Sequence, residues 1–230
     1  ADPTDPVSLG NAAFAALAVA ATDRALELAR AGLRADPGHD WPRFAYLTAL
    51  RAAGDFAAGR HEAEVIVALG GDRRFPAAVT LLLDAVATRD GAAAARLGAE
   101  LVRMAGPRVA DYVALLEGLA RDEPVDTAVL RRMQRIAPPP NANQWMLAHA
   151  YAAAGDDDGA FAMLDQIAAT HSMYSAIRVR VDPAFAALRA DRRYRRFLAA
   201  VSAPEGPAPE PVTPGRPRST RRTRTIRPDR

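Results

Sequence analysis

Two Gly-Asp pairs that lie 101 residues apart constrain the fold of this 230-residue chain more than any other feature. Gly54-Asp55 and Gly155-Asp156 each separate two stretches in which apolar residues recur every three or four positions, as they do in amphipathic helices. The separation is close to three times about 34 residues, a common length for helix–turn–helix repeats. Such a period predicts polar breaks near residues 20, 88 and 121 or 122, and the sequence has them at Ala21-Thr22-Asp23, Thr88-Arg89-Asp90-Gly91 and Arg121-Asp122.

The sequence therefore predicts an all-α fold with five helical hairpins, over residues 8–37, 41–71, 75–105, 107–138 and 141–171. An alanine-rich composition favours helices, and no stretch alternates apolar and polar residues for long enough to predict a strand. Beyond the hairpins, Asp182-Pro183 predicts a short helix over 183–188, and Asp191 opens a last helix. Five arginines would give this end cap a polar outer face: Arg189, Arg192, Arg193, Arg195 and Arg196.

The fifth hairpin carries a recognisable set of residues: Leu147, Ala148, Tyr151, Gly155-Asp156, Ala160, Leu164 and Ile167. In this order and spacing they resemble the tetratricopeptide repeat (TPR). The segment from residue 182 to 201 is similar to the end of TPR domains in bacterial regulators and signalling proteins. The resemblance implies a bacterial protein with a TPR-like α-solenoid, in which the first helices of successive hairpins line a concave groove that binds partner segments.

Charge and composition divide the chain into three parts. Residues 1–7 read as a lead-in or linker, residues 8–202 as the helical-repeat domain with its C-terminal cap, and residues 203–230 as a disordered basic tail. The tail contains seven Pro and seven Arg, with only Val212 and Ile226 as branched apolar residues. Residues 1–170 hold 16 Arg and 22 acidic side chains, a net charge of −6, whereas residues 171–230 hold 14 Arg and 5 acidic side chains, a net charge of +9.

The TPR-like register assigns a candidate partner-binding groove. It consists of one group of side chains from the second, fourth and fifth hairpins: Phe44, Thr48, Arg51, Asp111, Leu115, Trp145 and His149. Aromatic and Arg side chains are frequent binding anchors, but Phe44 and Trp145 could equally pack against the neighbouring repeat. Some TPR domains clamp a peptide carboxylate with Lys and Asn. The chain has no Lys, so recognition of a free C-terminal carboxylate is not expected.

The residues that would support catalysis or cofactor binding do not form a known pattern. The absence of Cys excludes disulfides, thiolate metal sites and Cys nucleophiles. His61-Glu62 begins a zinc-protease-like string, but Val65 stands where the second His is required. Asp156, Asp157 and Asp158 are better explained as helix-capping residues than as a calcium loop. We therefore expect no catalytic residue, no metal and no cofactor.

Three functional hypotheses follow, the first being a non-enzymatic protein–protein interaction or scaffold module that binds a protein or peptide in the groove. The alternative is an adaptor whose tail attaches to nucleic acid or to an anionic membrane surface, through Arg216, Arg218, Arg221, Arg222, Arg224 and Arg227. The third, an enzyme on a helical-repeat scaffold, is the least favoured.

The sequence predicts no transmembrane segment and leaves the compartment open. Its longest apolar run, residues 12–21, is 10 residues long, about half of the ~20 that span a bilayer. A cytoplasmic location is favoured, and a periplasmic one stays open if Ala1 follows a cleaved signal or a membrane anchor.

Overall fold

A computed structural model of the chain describes residues 5–136, 144–170 and 172–202. Every regular element in these ranges is helical, which confirms the all-α prediction. The first six α-helices are α1 (Pro6–Ala18), α2 (Thr22–Ala35), α3 (Asp40–Ala52), α4 (Phe56–Leu69), α5 (Arg74–Ala87) and α6 (Gly91–Ala105). The other six are α7 (Ala110–Ala120), α8 (Thr127–Ile136), α9 (Gln144–Ala153), α10 (Asp157–Ala169), α11 (Met173–Val181) and α12 (Arg192–Ser202). Short 3-10 helices cover Gly106–Val109, Pro183–Phe185 and Ala187–Ala190.

The helices from α1 to α10 pack in sequence, each against the next, as antiparallel pairs joined by short turns. The five pairs match the five predicted hairpins, although α1, α3 and α5 begin one or two residues before the predicted bounds. The pairs are α1–α2, α3–α4, α5–α6, α7–α8 and α9–α10. One continuous apolar core runs through all of them, from Ala13 in α1 to Phe197 in α12.

All five pairs share the same turn geometry. The second residue after the first helix of each pair has a positive φ; these residues are Ala20, Gly54, Arg89, Asp122 and Gly155. In each turn the next residue's backbone N–H donates to the carbonyl five residues earlier, as Asp55 does to Leu50 and Asp156 to Tyr151. These bonds are those of the Schellman motif, which satisfies carbonyl groups at a helix C-terminus. Ala20, Arg89 and Asp122 adopt this conformation without the freedom of glycine.

Acidic residues begin the second helix of three pairs. The carboxylates of Asp55, Asp90 and Asp156 accept a hydrogen bond from the backbone N–H three residues further on, at 3.0, 2.9 and 2.8 Å. Each bond satisfies one of the N–H groups that a helix N-terminus leaves without a partner. The capping role predicted for the Asp156 region is therefore confirmed at Asp156 itself.

Helix α11 is an element that the sequence analysis did not predict. It follows the fifth pair and packs against α1, α3, α9 and α10, so it connects helices from opposite ends of the chain. The short helix expected over 183–188 is two 3-10 helices instead, Pro183–Phe185 and Ala187–Ala190. Asp191 opens α12 as expected, because its carboxylate accepts from the Arg193 N–H at 2.7 Å. Helix α12 then packs on α10.

Two predictions concern parts of the chain outside the described residues. The tail over 203–230, with Arg216, Arg218, Arg221, Arg222, Arg224 and Arg227, lies wholly outside them. So do most of the predicted lead-in and the connection between the fourth and fifth pairs. Of the helices that are described, none combines the length and the apolar character needed to cross a bilayer.

Candidate functional site

Two of the predicted groove residues on α3 are buried, and one of them lies against α11. Phe44 is completely inaccessible to solvent, and its ring stacks on Tyr174 of α11 with the centroids 6.3 Å apart. Thr48, one turn later, is buried and donates its hydroxyl to the Phe44 carbonyl at 2.8 Å. Both side chains therefore form part of the core between α3 and its neighbours.

Trp145 on α9 is also covered by α11. It is 2% exposed, and the guanidinium of Arg178 lies 4.4 Å from the centroid of its ring. Arg178 is itself buried and donates from Nη1 to the Thr80 hydroxyl on α5 at 3.1 Å. We call the surface of α1, α3, α5 and α9 that α11 contacts the inner face. In this structure the chain's own helix occupies the part of the inner face around Phe44 and Trp145.

The two predicted groove residues on α7 have structural contacts of their own. Asp111 accepts hydrogen bonds from Nη2 and Nε of Arg132, at 3.0 and 3.1 Å, and so connects α7 to α8. Leu115 is buried in the core. Neither residue lies at the cavity described next.

The remaining two groove residues, Arg51 and His149, line a cavity of about 420 Å³ that α11 leaves open. We call it the C-end cavity, because the last turns of four helices form its wall. These are α3 at Arg51, α5 at Ala87, α7 at Leu119 and α9 at Ala153. The chain that follows α11 closes one side with Asp182, Pro183 and Ala184. Its polar lining is Arg51, Asp84, Arg89, Asp122, His149 and Asp182.

Arg51 and Asp84 form an ion pair at this cavity. Arg51 Nη1 donates to Asp84 Oδ1 at 2.7 Å, and the two side chains are 3% and 13% exposed. The guanidinium also lies 5.1 Å from the centroid of the Phe56 ring. Gly59 of α4 makes room for the stem of the Arg51 side chain, since a Cβ at that position would lie 2.9 Å from Arg51 Cγ. Burial raises the pKa of Asp84 despite the neighbouring Arg51, so the negative charge is only partly compensated.

Among the described residues, Asp84 and Asp182 each have one carboxylate oxygen without a hydrogen-bond donor. Asp84 Oδ2 and Asp182 Oδ2 are both inaccessible, and the described protein groups offer neither of them a donor. Asp182 Oδ1 accepts from the Ala184 N–H at 3.0 Å. Asp182 Oδ2 lies 3.8 Å from His149 Nε2, which is too long for a hydrogen bond.

His149 of the cavity lining and its neighbour Tyr112 are both neutral. The Tyr112 hydroxyl and His149 Nδ1 are 3.4 Å apart, and His149 meets the Phe185 ring edge-to-face. Burial is the main cause that lowers the pKa of His149 and raises the pKa of Tyr112. The imidazole and the phenol therefore stay uncharged near neutral pH, and the charges at the cavity are those of its Arg and Asp side chains.

The cavity offers a ligand charged side chains and free hydrogen-bond acceptors. Within the described ranges, no group of three or more His, Asp or Glu side chains is placed to hold a metal ion. The two acceptors that lack donors, Asp84 Oδ2 and Asp182 Oδ2, instead favour a ligand that brings its own N–H or O–H groups.

Arg51 and His149 were predicted from the sequence, whereas Asp84, Asp182 and the His149 neighbour Tyr112 were not. One signal could have found Asp84. It stands 33 residues after Arg51, so a repeat of about this length brings the two opposite charges close together on neighbouring pairs. Arg89 and Asp122 form a second ion pair with the same separation, at 3.2 Å. Asp182 had no comparable signal, since it reaches the cavity only because α11 folds back.

Comparison with protein-family models, with curated proteins and with solved structures finds no match for this chain.

Proposed function

We propose that the chain is a TPR-like α-solenoid that acts as a non-enzymatic protein-interaction module, with a partner segment bound at the C-end cavity. Repetition supports the solenoid. The positive-φ residues of the five turns are separated by 34, 35, 33 and 33 residues, and each turn makes the same backbone hydrogen bond. Helical repeats of this length stack into arrays that use an extended face for binding.

One observation carries the binding role. The inner face is filled by α11 around Phe44 and Trp145 but stays open at the C-end cavity, which includes Arg51 and His149. A volume of about 420 Å³ lies within the range of ligand pockets, and it accommodates a side chain or a short peptide segment. We therefore assign partner binding to the open end of the inner face and not to its centre.

A peptide-display selection on the immobilised full chain tests this proposal. Ala153 lines the cavity, so Ala153→Leu would partly fill it, whereas Ala95→Leu adds the same volume on an exposed face of α6. We expect the selected peptides to bind wild type and Ala95→Leu equally and to bind Ala153→Leu at least about tenfold more weakly, a difference of about 1.4 kcal/mol. Peptides that bind all three proteins alike would exclude the cavity as the binding site.

A second proposal concerns the Arg-rich tail, which we infer attaches the protein to nucleic acid or to an anionic membrane surface. Helix α12, which precedes the tail, supports it by exposing Arg192, Arg195 and Arg196. The test is binding of duplex DNA and of phosphatidylserine vesicles by the full chain and by a variant in which the six arginines from Arg216 to Arg227 are changed to Gln. Binding that weakens steeply with salt and disappears in the variant would support the proposal. Equal binding by both proteins would contradict it.

A further inference from the structure

We infer that the C-end cavity is a site for a cationic side-chain group, the guanidinium of an Arg or the ammonium of a Lys, which donates hydrogen bonds to Asp84 and Asp182. This inference rests on the proposed function, since it names the chemistry of the group that a bound segment would insert.

Within the described part of the chain, two carboxylate oxygens at the cavity lack hydrogen-bond donors and therefore favour a ligand that donates. A buried carboxylate oxygen without a donor is unfavourable, and the penalty is larger for a charged group than for a neutral one. Asp84 Oδ2 and Asp182 Oδ2 are two such atoms, and both residues line the same cavity. A ligand that satisfies them must donate at least two hydrogen bonds. Guanidinium carries five N–H donors in a plane, and ammonium carries three.

The helix C-termini around the cavity also favour a cation. Four helices, α3, α5, α7 and α9, end at the cavity with their C-terminal turns. The free carbonyl groups at a helix C-terminus carry a partial negative charge, equivalent to roughly half an elementary charge, and favour cations. Four such ends around one cavity therefore create a negative potential that does not depend on side chains.

The side-chain charges do not reverse this potential. Arg51 is neutralised by Asp84 and Arg89 by Asp122, while His149 is uncharged. Burial is the main cause that raises the pKa of Asp84, and the charge of Asp182 acts in the same direction, since the two carboxylates repel each other across the site. Arg178 offsets part of this charge from a distance, but it is held over the Trp145 ring with Nη1 on Thr80. A bound cation would reduce this repulsion and, once the two carboxylates turn toward it, donate to both oxygens.

The cation has two sources, a partner protein or this chain's own basic end. The described helices up to residue 170 belong to the part with a net charge of −6, and residues 171–230 carry +9. Charge complementarity thus fits the Arg side chains at 216–227 as well as those of a partner. The chemistry at the cavity is the same in both cases, so the experiment must separate the sources.

The direct test is an NMR titration of the full ¹⁵N-labelled chain with two capped peptides, acetyl-Gly-Arg-Gly-amide and acetyl-Gly-citrulline-Gly-amide. Citrulline has the shape of Arg and retains N–H donors but has no charge. We expect the Arg peptide to shift resonances at the C-terminal turns of the four helices and to bind at least about tenfold more tightly than the citrulline peptide. Equal binding of the two peptides, or shifts elsewhere on the protein, would overturn the inference.

Substitutions make the test specific to the two carboxylates. Asp182→Asn and Asp84→Asn each remove one negative charge and replace one acceptor, yet keep an oxygen for the Ala184 N–H and for Arg51, respectively. We expect each to weaken the Arg peptide by at least about tenfold. Asp72→Asn removes the same charge from an exposed loop and should leave affinity unchanged. If a variant melts early, the other one still decides the outcome, and loss of affinity in Asp72→Asn alone would contradict the site.

The source of the cation follows from a variant of the full chain in which the six arginines from Arg216 to Arg227 are changed to Gln. Tighter binding of the Arg peptide to this variant means that the tail competes for the cavity. Unchanged binding assigns the site to a partner.

The two proposals fail in different ways. Display peptides that need the cavity but contain no basic residue would overturn the cation site and leave the interaction module in place. Cation binding without any cavity-dependent display peptide would do the reverse.

Discussion

His149 is a neutral imidazole held inside a charged cluster, and this position has a consequence for stability. Its ring faces the Tyr112 hydroxyl, the Asp182 carboxylate and the Phe185 ring, with the charge of Arg178 nearby. Burial is the largest cause that lowers its pKa, and Arg178 adds to the effect, while Asp182 opposes it. The folded protein therefore resists protonation at this residue more than the unfolded chain does.

The pH dependence of unfolding tests this directly. Because the pKa of His149 is lower in the folded state, the unfolded chain binds more protons as the pH falls below about 6.5. The free energy of unfolding should therefore be maximal above that value and decrease as the pH falls. In His149→Phe, which keeps an aromatic ring, urea denaturation should show a flatter profile between about pH 7 and pH 5. His61→Gln, which removes an exposed histidine on α4, should keep the wild-type profile.

Because Phe44 and Trp145 are buried, substituting either of them is expected to lower stability, which would itself weaken any measured binding. Both were candidates for partner contact, and both lie in the core under α11. We expect Phe44→Ala to lower the free energy of unfolding by about 3–5 kcal/mol, because it leaves a cavity beside Phe14 and Tyr174. Phe44→Leu, which retains most of the volume, should cost far less. A urea denaturation midpoint equal to wild type for Phe44→Ala would contradict the buried position.

At the scale of the helix, the turns carry identifiable backbone strain. Ala20 has φ of 58° and is exposed, so it adopts a left-handed conformation that glycine occupies in the equivalent turns at Gly54 and Gly155. We expect Ala20→Gly to stabilise the protein by about 0.5–1 kcal/mol, because the strain removed exceeds the added freedom of the unfolded chain.

Ala15→Gly provides the matched control for this turn. Ala15 is exposed in the interior of α1, where glycine should destabilise by about 1 kcal/mol. Thermal unfolding of the two variants should thus shift in opposite directions. A fall in both melting temperatures would show that Ala20 is not strained.

Most of the helix pairs were predictable, because their turns repeat at a fixed spacing that the sequence displays directly. Helix α11 was not, for a physical reason. Residues 175–179 are all buried, so the helix has no solvated side and lacks the amphipathic period by which helices are recognised. Its arginines at 178 and 180 read as exposed polar positions in the sequence. The candidate site was predictable only in part for the same reason, since Asp182 arrives through α11 whereas Arg51 follows from the repeat.

At the scale of the whole molecule, α11 connects parts that a linear array would keep apart. Arg178 binds Thr80 across 98 residues, and Arg180 donates to the carbonyls of Leu17 and Ala18, more than 160 residues away in the sequence. In an open array each repeat contacts only its neighbours, so the ends can unfold independently. A helix that contacts α1, α3 and α9 at once should instead join both halves into one cooperative unit.

The two tryptophans allow this cooperativity to be measured, since Trp41 reports on α3 beside α1 and Trp145 reports on α9. Trp41 stacks on Phe14 of α1 with the centroids 4.8 Å apart. Single-tryptophan versions, made with Trp145→Phe or Trp41→Phe, give one fluorescence signal for each half.

Arg180→Met removes the hydrogen bonds to α1 but keeps an apolar stem, and it should lower the free energy of unfolding by about 1–2 kcal/mol. In a cooperative molecule both signals register this loss equally, because α1 cannot unfold without releasing α11 from α9. A shift confined to Trp41 would mean that the halves unfold separately, and Arg192→Met on the exposed side of α12 should shift neither signal.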